Sequence, residues 1–481
     1  MTTSTEATQR TRLNVVLAAC CFGQFMVILD GSVFNVALPV IQAEFSFRSN
    51  SLLWVANSYA IVYAGFLLLG GRLADFFGRR RLFLIGIVMF TLASMLAGLA
   101  FNAASLIVAR GLQGLGAAVM APATLTVLGT TFTEPGQRAK AFGLWGAAAG
   151  GGGAVGVLLG GLFTEWLSWR WLLLINLPIG VALFAAAAYA VAESRAGNGT
   201  RKLDLPGSVS ITIGLIALVY GIAESEQHGW AATRVVVALT AAVALIGFFL
   251  FDQAKLAPQP LVPLDFFKRR SVSVANLVAV IASAAIFSVF YFFTLHMQQV
   301  LGYSPVETGL VYIPLSIGIF VGARGLSPYV GAIGPKRTLL IGLTISLLGM
   351  VWMSRASTDA TFLADLLGPA LLLGVGQGIV TTGTAMSATA DLPHHQAGLA
   401  SGVLNTTRQL GGAVGLTVLV ALSTARTNAL LASGADPLDA LSAGYMLAFT
   451  VGSAFLLLAM VPALFATRSS SRPRPRPRQT N

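Results

Sequence analysis

Charge is the first thing this chain lacks. Only 10% of its 481 residues are Asp, Glu, Lys or Arg, while 56% are hydrophobic; soluble domains carry charge on about 25% of their residues. A water-facing globule is therefore excluded, and a polytopic membrane protein is what the composition supports. Cysteine is equally scarce. Cys20 and Cys21 are adjacent within one apolar run, so they cannot staple a fold and give no redox reading. No Gly-Lys dipeptide occurs, which excludes a phosphate-binding loop and with it an ATP-driven pump. Metal-ligand spacing is missing too: His394 and His395 lie in a short loop and are expected to be solvated, and neither a cofactor nor catalysis is expected. No cleavable signal is expected either, because the first apolar run, roughly 25 residues, is too long for a signal-peptide core.

What the chain does have is apolar runs. Stretches long enough to span a bilayer begin near Leu13, Ser51, Leu82, Ala104, Ala139, Arg170, Pro206, Ala232, Val272, Pro305, Thr338, Phe362, Gly398 and Tyr445, which predicts an all-α protein of fourteen transmembrane helices. The net charge of +12 does not point to nucleic acid, because of where the bases fall. Threading the runs alternately from a cytoplasmic N-terminus puts Arg10, Arg12, Arg79 to Arg81, Arg138, Lys140, Lys268 to Arg270, Lys336, Arg337 and the tail arginines on the cytoplasmic side. That asymmetry sets topology, with membrane lipid headgroups as the partner. Both termini are then expected to be cytoplasmic, with the chain multi-pass in the cell membrane.

The turn Gly70-Gly71-Arg72-Leu73-Ala74-Asp75-Phe76-Phe77-Gly78-Arg79-Arg80-Arg81 organises the rest. Three successive arginines cannot lie in hydrocarbon, so the turn sits in water. Asp75 lies at the end of the preceding helix and the chain reverses through Gly78, so Asp75 with Arg79 and Arg80 forms a candidate charge clasp and conformational gate.

An internal repeat follows. Gly78-Arg79-Arg80-Arg81-Leu82-Phe83-Leu84-Ile85-Gly86 recurs as Gly334-Pro335-Lys336-Arg337-Thr338-Leu339-Leu340-Ile341-Gly342, and Gly152-Gly153-Ala154-Val155-Gly156 recurs at nearly the same separation as Gly411-Gly412-Ala413-Val414-Gly415. The halves predict two six-helix bundles at 13–194 and 272–467, a linker with two inserted helices at 195–271, a cytoplasmic N-terminus at 1–12 and a disordered basic tail at 468–481. Gly331 takes the place of Asp75 in the second copy, so the clasp is expected to be asymmetric.

Within the spans, Asp30 is the one acid placed well inside, where an ionised carboxylate costs roughly 2.5 to 3.5 kcal/mol. It is a candidate proton-coupling residue. Arg110, at a similar depth on the fourth helix, is its expected electrostatic neighbour, paired directly or through water, or else a lock on helix packing. In the fifth helix, Gly152, Gly156 and Gly160 at spacings of four form a smooth face for close helix contact, with Gly161 beside them. The candidate substrate cavity comprises Phe34, Asn35, Trp54, Asn57, Tyr59, Tyr63, Gln113, Trp145, Phe287, Tyr291, Asn405 and Gln409: apolar walls with a few polar anchors.

These motifs resemble one family. The stretch from Gly71 to Leu82 is similar to the signature between the second and third helices of the major facilitator superfamily of secondary transporters. Trp169-Arg170 through Asn176-Leu177-Pro178-Ile179-Gly180, Gln299-Val300-Leu301-Gly302-Tyr303-Ser304-Pro305 and Leu404-Asn405-Thr406-Thr407-Arg408-Gln409-Leu410-Gly411-Gly412 resemble its fourteen-helix drug:proton antiporter branch. The fifth helix departs from the antiporter pattern, carrying Gly156-Val157 where the family has Gly-Pro. The resemblance implies the major facilitator fold and a monomeric, proton-coupled antiporter that exports hydrophobic or cationic small molecules. An uptake permease or symporter of the same fold, or a membrane sensor, is the alternative.

Overall fold

The computed structural model describes residues 2–47, 49–195, 203–325, 333–389, 392 and 397–466. Gly331, His394, His395 and the tail 468–481 lie outside the described residues, as do parts of two loops. Among the described residues there are helices and no strands, and 14 helices are long and apolar enough to cross a membrane. In chain order they are α1 Arg10–Phe45, α2 Ser51–Phe77, α3 Arg79–Gly98, α4 Ala103–Thr131, α5 Gly136–Trp166, α6 Trp171–Ala190, α7 Leu205–Ser225, α8 Thr233–Leu256, α9 Arg270–Val300, α10 Pro305–Gly325, α11 Pro335–Met353, α12 Phe362–Thr389, α13 Gly398–Ala432 and α14 Pro437–Leu464.

The helix starts have local causes. Gly78 (φ 112°) precedes α3 and Gly334 (φ 78°) precedes α11, so the two copies of the repeated turn use the same left-handed backbone, which glycine adopts without a Cβ clash. The start of α4 is fixed by a capping box between Asn102 and Ser105. The start of α14 lies eight residues ahead of Tyr445, because the Asp436 carboxylate accepts from the backbone N–H of Leu438 at 2.8 Å, and Pro437 fits the first turn.

Helices α1 to α6 pack on one another, α5 along α1 and α4 against both α2 and α3; α9 to α14 do the same, with α9 along α13 and α14 and α12 between α10 and α11. The closest approaches are made by the repeated glycines. A Cβ at Gly152 would lie 2.8 Å from the Phe25 carbonyl, at Gly156 2.9 Å from that of Leu29, and at Gly160 2.8 Å from that of Val33, all on α1. Gly411, Gly412 and Gly415 of α13 meet Val280, Phe287 and Ala284 of α9 in the same way. The inserted helices α7 and α8 pack on each other, and α7 also covers the seam where α2 meets α13.

An even number of spans brings both described ends to one face, here the terminal face. At the opposite, far face the bundles are stitched together. Gln298 Nε2 donates to the Val36 carbonyl at 2.9 Å, Gln299 Nε2 to Gln42 Oε1 at 2.8 Å, and Val306 N to Glu165 Oε2 at 2.9 Å. Gly161 there faces the Pro305 carbonyl. Toward the terminal face α5 loses these neighbours: a Cβ at Gly143, Gly146, Gly150 or Gly151 would meet nothing within 4 Å. The bundles are therefore bridged at the far face, whereas this face of α5 stands clear toward the terminal face.

Candidate functional site

Asp30 and Arg110 form a direct ion pair, Nη1 to Oδ2, and are 0% and 1% exposed. The pair is tied from several helices. Gln113 Nε2 donates to Asp30 Oδ1 at 2.7 Å while its own Oε1 accepts from Arg110 Nη1 at 2.7 Å. Asn176 on α6 donates to Asp30 Oδ1 at 3.3 Å and to Ser94 Oγ on α3 at 3.0 Å, and Ser94 donates to the Leu173 carbonyl. Arg110 Nε reaches the Val55 carbonyl of α2 at 3.3 Å. Its guanidinium lies between the rings of Phe34 and Tyr59, 4.5 and 4.6 Å from their centroids, an arrangement that adds cation–π attraction in a water-poor setting. One carboxylate thus knots α1, α2, α3, α4 and α6. The hydrogen bonds of this knot offset the cost of taking polar groups out of water.

Of the residues expected to line the cavity, Phe34, Tyr59 and Gln113 belong to this knot. Tyr63 stacks on Tyr59 at 5.9 Å and accepts from Asn405 Nδ2 at 3.3 Å, joining α2 to α13. Asn57 makes the other α2–α13 bond, donating to Thr417 Oγ1 at 2.9 Å and to the Ala413 carbonyl at 3.3 Å. Trp145 is half-buried and donates to Thr124 Oγ1 at 2.9 Å, within the first bundle. Phe287 packs on Gly412, and Trp54 is half-buried against the main core. Asn35 and Gln409 are half-buried, Asn35 bonded to its own helix at Gly31. Tyr291 lines a pocket near the far face with Gln42, Thr424, Asn428 and Tyr445, and its hydroxyl has no partner.

The turn after α2 is organised by its charges. Asp75 pairs with Arg79 at 2.8 Å, Arg79 N donates to the Ser194 carbonyl at 3.0 Å, and Arg80 Nη2 to the Ala188 carbonyl at 2.7 Å. Glu193 sits against Gly78 and lies 3.9 Å from Arg81. Arg72 points the other way, to the Pro260 carbonyl at 2.6 Å in the linker after α8. The turn therefore clasps α2, α3 and the end of α6 and reaches the inserted pair. Gly71 leaves room against Pro122.

Several participants were not marked by single-residue chemistry in the sequence. Asn176 and Ser94 are isolated polar residues in apolar runs, and only their meeting at Asp30 distinguishes them. Gln42, Gln299 and Tyr445 form a far-face relay, Tyr445 donating to Gln299 Oε1 at 2.6 Å; the adjacent glutamines Gln298 and Gln299 at the end of an apolar span are the signal that could have found it.

A family model described as Major Facilitator Superfamily matches residues 20–416. The chain is 41% identical over 462 residues, 95% of its length and 93% of the other's, to the cephamycin export protein CmcT of Amycolatopsis lactamdurans. It is 40% identical over 458 residues, 94% and 90%, to the puromycin resistance protein pur8 of Streptomyces alboniger. Among solved structures, a bacterial homologue of the human lysosomal transporter Spinster, inward-facing and unoccupied, superposes with a TM-score of 0.67 at 15% identity over 94% of this chain and 96% of that one, a likeness of fold.

Proposed function

The chain belongs to the major facilitator superfamily, and on that footing we propose that it exports small organic molecules, antibiotics among them, across the cell membrane in exchange for protons. It is a transporter and not an enzyme. The relatives' named roles in cephamycin export and puromycin resistance support the direction and the substrate class. The bundles 13–194 and 272–467 are the two moving bodies, and the terminal face, rich in arginine, faces the cytoplasm. The cleft then opens inward, toward substrate.

The observation that carries the proton-coupling reading is the sealed Asp30–Arg110 pair. Protonating Asp30 would leave a buried guanidinium without its counter-charge. Breaking such a pair from one side costs about 3 to 5 kcal/mol. A protonated Asp30 therefore favours a different arrangement of α1 against α4, which makes protonation and conformation one linked equilibrium. A membrane potential adds about 2.3 kcal/mol per charge for each 100 mV.

The test uses proteoliposomes with an imposed pH gradient. Asp30→Asn keeps size and polarity but cannot release a proton; uphill export of a cephamycin is expected to disappear while downhill movement persists. Uphill transport by Asp30→Asn at the wild-type rate would place the proton site elsewhere, with Glu165, Glu224 and Asp365 next in line. In intact cells, uncoupler-sensitive lowering of an internal cephamycin is expected, and a rise would identify import.

A further inference from the structure

We propose that Arg408 is an anion-recognition residue of the substrate cleft, so that preferred substrates carry a carboxylate or equivalent negative group. The proposal rests on the exporter reading in placing substrate between the bundles.

Arg408 sits on α13 three residues beyond Asn405, which bonds Tyr63 at the middle of α2 (Ser51–Phe77), and so lies near mid-membrane. Its neighbour at i−3, Asn405, bonds Tyr63 of the first bundle and so marks the face of α13 turned to the seam. Arg408 itself is half-buried. One guanidinium nitrogen donates to the Thr381 carbonyl at 2.9 Å and to the Thr384 hydroxyl, both on α12. These acceptors are neutral. Among the described residues, each ion pair uses another base: Arg79 and Arg81 near the terminal face, Arg110 in the knot, Arg170, His228 and Arg234 near the far face, and Lys268 in the linker.

The charge balance of the interior then decides the substrate class. Asp30, the acid that would have met a cation, is consumed by Arg110 and by two amide donors, with no exposed surface. What faces the cleft without a counter-charge is a guanidinium, with Asn405 one turn away to supply a neutral hydrogen bond. An uncompensated cation at this depth is costly, and an arriving carboxylate relieves that cost with a planar, two-point fit. A cation would meet repulsion and find no free acid. Amphiphiles bearing negative charge are then preferred over cationic ones.

The experiment measures binding to purified full-length protein in neutral detergent, with three probes that share one fluorophore: dansyl-phenylalanine (anionic), its methyl ester (neutral) and dansylcadaverine (cationic). The acid is expected to bind about tenfold or more tighter than the ester, the ratio one charge-assisted contact supplies, and dansylcadaverine most weakly. Arg408→Gln should bring acid and ester to equal affinity with the ester unchanged, and Arg408→Lys should restore part of the preference. Three results overturn the proposal: equal or absent binding of the acid in the wild type, a preference that survives Arg408→Gln, or a loss of ester and acid together, which marks a packing role. If short-chain phosphatidylglycerol displaces the acid at lower concentration than N-acetyl-phenylalanine does, the site belongs to a lipid headgroup and the substrate reading falls. Transport is scored separately: absent uphill export with intact charge preference sinks the exporter reading alone.

Discussion

At the scale of the residue, the behaviour of the knot depends on geometry as much as on charge. Arg110 places one nitrogen on both Asp30 and Gln113, another on a carbonyl of α2, and its plane between two rings. A lysine keeps the charge but offers neither the fork nor the plane. Arg110→Lys is therefore expected to insert normally and to lose most pH-driven export in the proteoliposome assay; retention of more than half the rate would show that charge alone suffices. Gln113→Leu removes the amide that satisfies Asp30 Oδ1 and leaves a fully buried acceptor short of a partner, a cost of about 1 to 3 kcal/mol. A lowered unfolding temperature in detergent is the expected readout, and an unchanged one would mean that Asn176 moves in to replace it.

At the scale of the element, the fifth helix carries two kinds of glycine that its sequence presents as one run. Gly152, Gly156 and Gly160 touch α1 on either side of Asp30, whereas Gly143, Gly146 and Gly150 face open space. Spacing revealed the first set because steps of four stay on one helix face; it could not tell which partner covers that face, since contact with α1 is long-range. Gly156→Leu drives a branched side chain into the Leu29 carbonyl and Ser32, and overpacking of this sort costs about 1 to 3 kcal/mol. Lower thermal stability and reduced export are expected for Gly156→Leu, with Gly150→Leu as stable as wild type; equal stability of the two variants would contradict the packing. The turn after α2 behaves differently. Asp75 is 37% exposed and its bond to Arg79 is an i,i+4 surface pair, worth about 0 to 1 kcal/mol. Asp75→Asn should leave stability alone and slow transport by freeing Arg79 beside its backbone tie to Ser194. A wild-type transport rate would show that the clasp has no part in switching.

At the scale of the whole molecule, the spans were legible because they are written in local pattern: apolar length gives the helices, and the repeated glycine turn takes the same left-handed backbone ahead of α3 and α11. The reach of Arg72 to Pro260 and the relay from Gln42 through Gln299 to Tyr445 were not, since they join segments far apart in the chain and use residues that are unremarkable one by one. The same holds for which face bridges the bundles. The hydrogen bonds at the far face are neutral ones worth about 0.5 to 1.5 kcal/mol net and one to the Glu165 carboxylate worth about 1.5 to 3, increments on the scale that a proton or a substrate can supply. Asn57 and Thr417 add a further tie between the bundles, bonded at 2.9 Å across the seam of α2 and α13. With Cys20 and Cys21 replaced by serine or alanine, Asn57→Cys and Thr417→Cys joined by a short bifunctional thiol reagent should hold the far face shut. Uphill export should stop and return when a reducible linker is cut, whereas binding from the terminal face should persist throughout. Export that continues at the wild-type rate with the linker in place would mean that the far face never opens along this seam, and that substrate leaves by another route.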